Sequence, residues 1–402
     1  MASLSVVMGE KPAARVANAS TLDARPLLAR YPRLAGTGWS ALGLFPTRVE
    51  CASELARGIA PEGNGELWLK RDDLSHPIYG GNKVRTLEIL LGAARKHGAT
   101  RVYSTGAFGS NHAVAALLHG ARLGLQGGVV LYPQPVSMAA RENLEWILSL
   151  DPDVVCLPHW STLPVGIALA RHAERKRGGL AEVMVPGGAT PLGALAYVSA
   201  GLELAEQVAR GECPAPRRIV VGVGSCCTSA GLLVGLHLAA RLGVAFRDTL
   251  PQLHSVRVTP WPVTAAWRIL DLAVRASQEL AALSGDRALV CTREQLASKF
   301  RVETAFFGAG YGEPTESGLR AMEVWRRGAP DMVLDTTYSA KSAACVVRHL
   351  RAHAPGPTLY WATKSSARVP DSIAAGPGGV SRTAPMRMRR WLGSARTTHT
   401  SA

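Results

Sequence analysis

One lysine stands where its amine could act as a nucleophile. Lys83 follows Gly80, Gly81 and Asn82 and leads into an amphipathic run, VRTLEILLGAARKHG, that is typical of a helix. Glycines let a ligand approach the backbone, and apolar surroundings lower the pKa of an ammonium group, which leaves a reactive neutral amine. The helix dipole disfavours a cation at this position. The motif alone fits equally well a surface lysine after a glycine turn.

A second turn carries three polar side chains in a row. Ser110, Asn111 and His112 end the segment STGAFGSNH, which follows a strand-like run and opens a helical one. Serine or asparagine here is an ordinary helix N-cap, and that structural role is the favoured interpretation of this motif alone. Three polar side chains exceed what a cap needs, however, so the turn can also offer hydroxyl, amide and backbone N–H groups to a ligand.

A third turn has the composition of a phosphate-binding loop. Gly224, Ser225, Cys226, Cys227 and Thr228 lie between the strand-like run RRIVVGVG and an apolar helix, where backbone N–H groups and hydroxyls bind phosphate. A dinucleotide fingerprint is excluded because Cys227 occupies its third glycine position. The adjacent cysteines also suggest redox or metal chemistry. No further Cys or His ligand pattern lies nearby, so packing around a phosphate is preferred and no metal site is predicted.

Three hydroxyl residues complete the candidates. Tyr311 lies in GAGYGEPTESG and Tyr338 in DTTYSAK, polar or small-residue settings that favour a hydroxyl held near a substrate. Most tyrosines are structural, so neither is decisive alone. Thr363 ends the run PTLYWAT, where its hydroxyl either faces a ring nitrogen or merely terminates a strand.

These candidates lie on the turns of a repeating strand–helix pattern. From about Glu66, short β-branched runs alternate with longer amphipathic runs, several of which end at glycine. This alternation predicts an α/β fold with parallel sheets covered by helices on both faces, and ligands at the carboxyl ends of the strands. The strand-like runs are ELWLKRDDL, TRVYSTG, GGVVLYP, DVVCLP, AEVMVPGG, RRIVVGVGS, HSVRVTP and PTLYWAT.

Composition and charge exclude several classes of protein. The 402 residues are 47% hydrophobic and 19% charged, which excludes disorder over the whole length, and no apolar run is long enough for a membrane helix. The net charge is +15, to which residues 1–35 and 367–402 contribute +3 and +5. Because no RNA-binding or zinc-finger signature accompanies it, we expect solvated basic tails and neither nucleic acid nor membrane as a partner.

The cysteines and the first residues bear on the cellular compartment. Seven cysteines without CxxC spacing fit a reducing compartment better than a disulfide framework. The start of the chain lacks the apolar core of a secretory signal, although its Ser, Ala and Arg content leaves an organelle transit peptide open. We therefore expect a cytoplasmic protein.

Six motifs in this order resemble one enzyme family. KRDDL, GGNKVRTLE, STGAFGSNH, VPGGATPLGALAY, GVGSCCTSAGL and YGEPTESGL are similar to segments of the 1-aminocyclopropane-1-carboxylate deaminase and D-cysteine desulfhydrase family of pyridoxal-phosphate enzymes. The resemblance covers about residues 34–366. It implies the tryptophan-synthase-β-like fold (fold type II), with two open parallel-sheet αβα domains and pyridoxal 5'-phosphate between them. It also implies a small amino-acid substrate and a homodimer.

The resemblance assigns roles and domain boundaries. Lys83 would be the Schiff-base lysine, Asn111 the partner of the cofactor's phenolic oxygen, and Thr363 the partner of the pyridine nitrogen. The positions around the substrate would be Ser110, Tyr311 and Tyr338, and the phosphate loop would be Gly224, Ser225, Cys226, Cys227 and Thr228. The domains would be a large cofactor-binding domain (34–85 and 196–366), a small αβ domain (86–195), a flexible N-terminal extension (1–33) and a basic disordered tail (367–402).

Three departures from the family pattern bear on the activity. Cys226 and Cys227 replace glycines, ATKS at 362–365 replaces His-Thr-Gly-Gly, and Ser339 replaces the acid that follows the deaminase's second tyrosine. The last departure favours β-elimination from D-cysteine, giving pyruvate, ammonia and sulfide, over ring-opening of 1-aminocyclopropane-1-carboxylate to 2-oxobutyrate and ammonia. The first two leave open a non-catalytic cofactor-binding module. Retention of Lys83 together with the substrate hydroxyls favours an enzyme.

Overall fold

Two β-sheets organise the part of the chain that the computed structural model describes, residues 21–63, 65–367 and 384–397. The strands are β1 (Val49–Cys51), β2 (Leu67–Lys70), β3 (Arg101–Ala107), β4 (Gln126–Tyr132), β5 (Asp153–Cys156), β6 (Ala181–Met184), β7 (Arg218–Val223), β8 (Gln252–Arg257), β9 (Phe300–Glu303) and β10 (Thr358–Trp361). The α-helices are α1 (Pro26–Arg30), α2 (Ser53–Ile59), α3 (Asn82–Lys96), α4 (Asn111–Arg122), α5 (Met138–Ser149), α6 (Leu163–Lys176), α7 (Pro191–Ala209), α8 (Cys227–Arg241), α9 (Ala266–Ser284), α10 (Arg293–Ala297), α11 (Glu316–Gly328), α12 (Ser339–Arg351) and α13 (Met386–Thr397).

The larger sheet has six strands in the order β1-β2-β10-β7-β8-β9. Its pairs are parallel except at the edge, where β1 runs antiparallel to β2. Every residue of the inner strand β7 is buried, as expected for a parallel strand covered on both faces. The predicted parallel α/β class is confirmed. The sequence did not predict β1 and β9, because three or four residues carry too little periodicity to be recognised.

The smaller sheet has four parallel strands in the order β5-β4-β3-β6. All four fall inside residues 86–195, the range expected for the small domain, although the exact boundaries stay a prediction. Helices α4 and α5 pack on this sheet, with Val114, Leu117 and Leu144 in its core.

A close contact between helices α7 and α8 fixes the position of the 224–228 turn at the larger sheet. Gly231 of α8 faces α7, and a Cβ atom there would come within 2.3 Å of the Ala194 carbonyl oxygen. The two backbones therefore touch, which a larger residue would prevent. This contact holds the N-terminus of α8 in place at the carboxyl end of β7.

A buried ionic network includes Arg85 of α3. Glu203 on α7 binds Lys70 at 2.5 Å and Arg85 at 2.8 Å, and Arg85 also binds Asp72 at 2.7 Å. Trp361 donates its indole N–H to Asp72 at 2.8 Å. Because each buried charge has a partner, the network joins β2, α3, α7 and β10 without an orphaned ion.

Both ends of the described chain differ from the expectation. Within the predicted flexible extension, Leu27 on α1 is fully buried in the core around α7. Within the predicted disordered tail, α13 buries Met388 and Leu392 against the small sheet's core, and the Trp391 indole N–H donates to the Gln134 carbonyl oxygen at 2.7 Å.

Residues 21–33 and 384–397 therefore contain helices packed on the two cores, which differs from the expected flexible extension and disordered tail. The expectation for the tail rested on its Gly, Pro, Ser and Arg content, but Met388, Trp391 and Leu392 recur at helical spacing and form a packing face. Residues 1–20, 368–383 and 398–402 of the two predicted segments lie outside the described residues. None of the helices in the described ranges combines the length and the apolar composition of a membrane span.

Candidate active site

The turn before Lys83 depends on a glycine. Gly81 has φ of +93°, and a Cβ atom there would lie 2.6 Å from the Thr363 carbonyl oxygen. Only glycine fits both constraints. The Asn82 backbone N–H donates to the same carbonyl oxygen at 3.1 Å, so the start of α3 is tied to the end of β10. This connection places Lys83 close to Thr363 at the carboxyl end of β10.

The Lys83 amine is partly buried and weakly partnered. Its Nζ atom donates to the Gly187 carbonyl oxygen at 3.3 Å, and within the described residues no carboxylate pairs with it. Burial lowers the pKa of this amine, with a smaller opposing effect from Cys227. A Cβ atom on Gly187 would lie 2.4 Å from the Ser225 side chain and 3.3 Å from the Lys83 amine, so both side chains approach this glycine. The structure thus places a nucleophilic amine beside the predicted phosphate loop.

The loop 224–228 connects β7 to α8 and contains an unusual residue conformation. Cys226 is the N-cap of α8 and adopts φ of +75°, in the left-handed region that favours glycine. Its thiol donates to the Val263 carbonyl oxygen at 3.1 Å, and the Cys227 thiol donates to the Gly188 carbonyl oxygen at 3.4 Å. Burial raises the pKa of Cys226 to about 12 and that of Cys227 to about 11. The two sulfurs are protonated and take a structural role.

The loop is connected to the other candidates on both sides. The Asn82 amide donates to Thr228 Oγ1 at 3.1 Å. On the other side, a Cβ atom on Gly224 would lie 2.7 Å from the Tyr338 ring, so the glycine lets this ring lie against the loop. An α-helix N-terminus with adjacent hydroxyls is a favourable place for a phosphate group.

The two candidate tyrosines meet directly. Their hydroxyl oxygens lie 2.9 Å apart, and the rings pack edge to face with centroids 6.1 Å apart. Burial raises the pKa of Tyr311 to about 12 and that of Tyr338 well above 10. Both phenols are therefore protonated at neutral pH and are available as hydrogen-bond or proton donors.

Asn111 is held by three donors. Its Oδ1 atom accepts from the Tyr79 hydroxyl at 2.9 Å, the Asn143 amide at 3.0 Å and the Lys364 ammonium at 3.2 Å. These contacts fix the amide orientation and leave Nδ2 as the group that can donate to a ligand. The neighbouring Ser110 caps α4, since its Oγ accepts from the Ala113 N–H at 3.2 Å. Ser110 therefore acts as the N-cap of α4, the structural role favoured from the sequence.

A narrow cleft brings residues from both sheets together. It is lined by Asn111, Gln134 and Asn143 from the smaller-sheet side and by Tyr311, Asp335 and Tyr338 from the larger-sheet side. Of the predicted site residues, Asn111, Tyr311 and Tyr338 line this cleft and Ser110 precedes Asn111. Lys83, the 224–228 loop and Thr363 do not line it; Asn82 joins the loop to Thr363.

Asp335 was not predicted from the sequence. It accepts from the Tyr338 backbone N–H at 2.6 Å and from the Ser339 hydroxyl at 3.0 Å, so it orients the turn that carries Tyr338. The only sequence signal was an acid three residues before the tyrosine in DTTYS. Ser339 itself is buried and turned toward Asp335, and a carboxylate thus lines the cleft although position 339 is not acidic.

Lys364 and His112 also lie at the site in roles that the sequence did not indicate. The Lys364 ammonium lies 5.6 Å from the centre of the Tyr79 ring; although burial opposes its charge, Tyr79 and Asp335 raise its pKa. His112 is buried, and neither ring nitrogen has a partner within the described residues. Burial, and to a lesser degree Lys83, lowers the pKa of His112 to about 3.

These groups fit pyridoxal 5'-phosphate. A helix N-terminus with hydroxyls suits its phosphate, a fixed amide donor at Asn111 suits a phenolic oxygen, and the Thr363 hydroxyl has no hydrogen bond among the described residues. The orphaned nitrogens of buried His112 also indicate that a polar group belongs nearby. The Lys83 amine, whose pKa is lowered by burial, completes the set.

Comparisons with known proteins agree with this chemistry. The family described as pyridoxal-phosphate dependent enzyme matches residues 42–283. Nocardicin C-9' epimerase of Nocardia uniformis subsp. tsuyamanensis is 33% identical over 330 residues, covering 80% of this chain and 90% of the relative. D-cysteine desulfhydrase of Salmonella paratyphi C is 28% identical over 342 residues, covering 83% and 94%.

A solved structure described as an ACC deaminase homologue superposes with a TM-score of 0.66 at 25% identity, covering 88% of this chain and 99% of its own. The predicted family resemblance, the α/β fold and the cofactor are confirmed. The chain belongs to the pyridoxal-phosphate-dependent enzymes.

Proposed function

We propose that the enzyme is a lyase that removes the β-substituent of a small amino acid, with D-cysteine as the first candidate and pyruvate, ammonia and sulfide as products. The observation that carries this proposal is the weakly partnered Lys83 amine, whose pKa is lowered by burial, beside the 224–228 loop and in the same region as two protonated tyrosines. One group can take a proton from Cα, and the others can give a proton to the departing sulfur.

Each side chain has a defined task in this proposal. When bound, pyridoxal phosphate supplies an electron sink that weakens the Cα–H bond of an attached amino acid. Lys83 holds the cofactor and, once released from it, moves the Cα proton. The N-terminus of α8 with Ser225 and Thr228 binds the phosphate. Asn111 Nδ2 donates to the phenolic oxygen, and Thr363 faces the pyridine nitrogen.

Ring-opening of 1-aminocyclopropane-1-carboxylate is the competing lyase activity. The sequence argument against it was the missing acid at position 339. Because Asp335 lines the cleft and binds Ser339, a carboxylate is nevertheless at hand. The preference for D-cysteine is supported by the D-cysteine desulfhydrase relative, which matches over 83% of the chain, and by the two phenolic donors.

Epimerisation of an amino acid at Cα is a second candidate, favoured by the relative named nocardicin C-9' epimerase at 33% identity. It shares the first step with β-elimination, because Lys83 again removes the Cα proton. The outcomes differ afterwards: an epimerase returns a proton to the other face of Cα, whereas a lyase loses the β-substituent. A protonated tyrosine can serve either outcome.

The position of the cofactor is tested by chemical fixation. Borohydride treatment of the yellow holoenzyme is expected to fix the cofactor irreversibly onto the Lys83 peptide, as mass spectrometry would show. Lys341 and Lys364 are the internal comparisons: Lys341 is buried on α12, and Lys364 is half-buried in the turn after β10. Label on either of them, or a colourless protein that cannot be reconstituted, would contradict the assignment.

The reaction is tested with a panel of D- and L-amino acids and 1-aminocyclopropane-1-carboxylate. We expect sulfide and pyruvate from D-cysteine. Release of 2-oxobutyrate from the cyclopropane alone would reverse the ranking of the lyase activities. Inversion of configuration with deuterium uptake in D2O and no keto acid would establish the epimerase. Spectral shifts without any product for all compounds would support a non-catalytic binding module.

Two further expectations belong to this proposal. We infer a homodimer and a cytoplasmic location, which the resemblance and the cysteine pattern favour. Light scattering of the purified holoenzyme would measure the first, and fractionation of source cells the second. A monomeric active enzyme would contradict the dimer.

A further inference from the structure

Two histidines and a glutamate from three elements meet away from the cleft. His254 lies on β8, Glu303 ends β9 and His349 lies in the last turns of α12. One ring nitrogen of each histidine and one carboxylate oxygen of Glu303 all lie within 4.8 Å of one another. Tyr338, at the other end of α12, is eleven residues or about 16 Å away along the helix. The cluster is therefore separate from the candidate active site.

The hydrogen bonds of this cluster leave one nitrogen unexplained. His254 Nδ1 faces Glu303 Oε1 at 2.8 Å, and its Nε2 faces Gln252 Oε1 at 3.0 Å. The rings of His254 and His349 lie edge to face with centroids 4.7 Å apart. His349 Nε2 is buried and has no partner in the described part of the chain. A buried nitrogen without a partner is unfavourable, which indicates that a group is missing here.

A cation would satisfy all of these contacts at once. His254 can satisfy both Glu303 and Gln252 only as an imidazolium or with a cation on one nitrogen, and a proton on His254 leaves His349 Nε2 without a partner. With a metal ion on Nδ1, the remaining Nε2–H donates to Gln252, the arrangement that orients histidine ligands in metal sites. Arg348 holds Glu303 Oε2 at 2.5 Å and so leaves Oε1 turned toward His254.

We propose that His254, Glu303 and His349 bind a divalent transition-metal ion of the zinc class. Two imidazoles and a carboxylate are a donor set that zinc accepts, with a fourth position left for solvent. The Glu303 side chain is 15% exposed, which gives the ion a route from solution. Arg348 and Arg218 place positive charge nearby and moderate the affinity. Bound there, the ion clips β8, β9 and α12 together and stabilises the fold by mass action.

The sequence could not predict this site. Its three residues are far apart along the chain, and none of them lies in a spacing typical of zinc ligands. Cys345 lies one turn before His349 on α12, but its sulfur is outside the group defined by the three ligand atoms. The proposal therefore assigns three protein ligands.

The test uses the untagged holoenzyme after chelator treatment and dialysis. Zn2+ binding is titrated by calorimetry, and the bound ion is counted by elemental mass spectrometry. Co2+, which absorbs visible light when bound, serves as a spectroscopic substitute. We expect one ion per chain and a higher melting temperature with Zn2+. His349→Gln and Glu303→Gln should each weaken binding by more than about tenfold and remove the thermal shift. The matched control is His172→Gln, which changes an exposed histidine on α6 and should bind normally.

A further variant separates ligand loss from misfolding. Gln252→Leu keeps all three ligands and removes only the acceptor for His254, so affinity should fall by about tenfold. Cofactor absorption and circular dichroism verify that each variant is folded. The proposal is overturned if the wild-type protein binds no ion at one per chain, or if binding survives unchanged in both His349→Gln and Glu303→Gln.

Discussion

The buried ionic network around Glu203 and the turn at the start of α3 contain lysines in opposite situations. Lys70 donates to Glu203 at 2.5 Å, Gln207 at 2.6 Å and the Thr47 carbonyl oxygen at 2.7 Å. Lys83 has only the Gly187 carbonyl oxygen at 3.3 Å. Burial lowers the pKa of both amines, but Glu203 counteracts this effect at Lys70 alone. A lysine with three close partners is structural, whereas a weakly partnered one is free to react.

Buried tyrosines also differ in their hydrogen-bond partners. Tyr197 donates to Asp72 at 2.8 Å, and Tyr360 donates to the Ser339 carbonyl oxygen at 3.0 Å. Tyr311 and Tyr338 bind each other and line the cleft. The difference teaches that the completeness of hydrogen bonding, more than burial itself, separates groups that hold the fold from groups that are left for a ligand.

The largest effect is expected at Lys83. Lys83→Ala should lower kcat by about 10³-fold or more, because the amine that holds the cofactor and moves the Cα proton is lost. The melting temperature should change little, since the amine makes one long hydrogen bond. Lys96→Ala, an exposed position on the same helix, is the control and should keep full activity. Equal rates for both variants would remove the role assigned to Lys83.

The complementary variant removes the central carboxylate of the buried ionic network. Glu203→Gln should lower the free energy of unfolding by about 3–5 kcal/mol, because Lys70 and Arg85 lose their shared carboxylate. Glu206→Gln, on the same helix, breaks a half-exposed pair with Arg30 and should cost no more than about 1 kcal/mol. Urea denaturation measures both. Similar losses for the two variants would show that the network adds no special stability.

The same network gives a dependence on pH. Although burial raises the pKa of Glu203, Arg85 and Lys70 hold it far below its usual value. A depressed folded-state pKa contributes stability above the unfolded-state pKa of about 4.3, and this contribution is lost as the pH falls below it. The difference in stability between wild type and Glu203→Gln should therefore shrink on acidification.

A smaller effect on activity is expected at Tyr338. Tyr338→Phe keeps the ring against Gly224 and removes the hydroxyl, so kcat should fall by about 10²-fold with the cofactor still bound. Tyr360→Phe is the matched change at a buried tyrosine that does not line the cleft; it removes the bond to the Ser339 carbonyl oxygen and should reduce stability by about 1 kcal/mol with a much smaller effect on kcat. If the two variants had the same kinetics, the Tyr338 hydroxyl would be structural.

Local motifs explain how far the sequence could predict this molecule. Lys83, Asn111 and the 224–228 loop were proposed because glycines and polar residues mark strand-to-helix turns; the turns of Lys83 and the loop lie at the larger sheet, and the turn of Asn111 follows β3 of the smaller sheet. Asp335 and Lys364 were missed as site residues because their contacts come from distant turns. Helix α13 was missed because its apolar packing residues are interspersed with arginines. Tertiary partners, which composition does not encode, account for each miss.

The smallest effect concerns the two cysteines of the loop, which also differ in strain. Cys226 has φ of +75°, which costs a residue with a side chain roughly 1–2 kcal/mol, whereas Cys227 begins α8 in an ordinary helical position. Cys226→Gly removes that strain but adds unfolded-state entropy and loses the bond to the Val263 carbonyl oxygen, so a net stabilisation of up to about 1 kcal/mol is expected. Cys227→Gly relieves nothing and loses a buried side chain, so it should destabilise by about 1–2 kcal/mol. Urea denaturation of the two variants should therefore give opposite signs; equal destabilisation would mean that the backbone at Cys226 carries no strain.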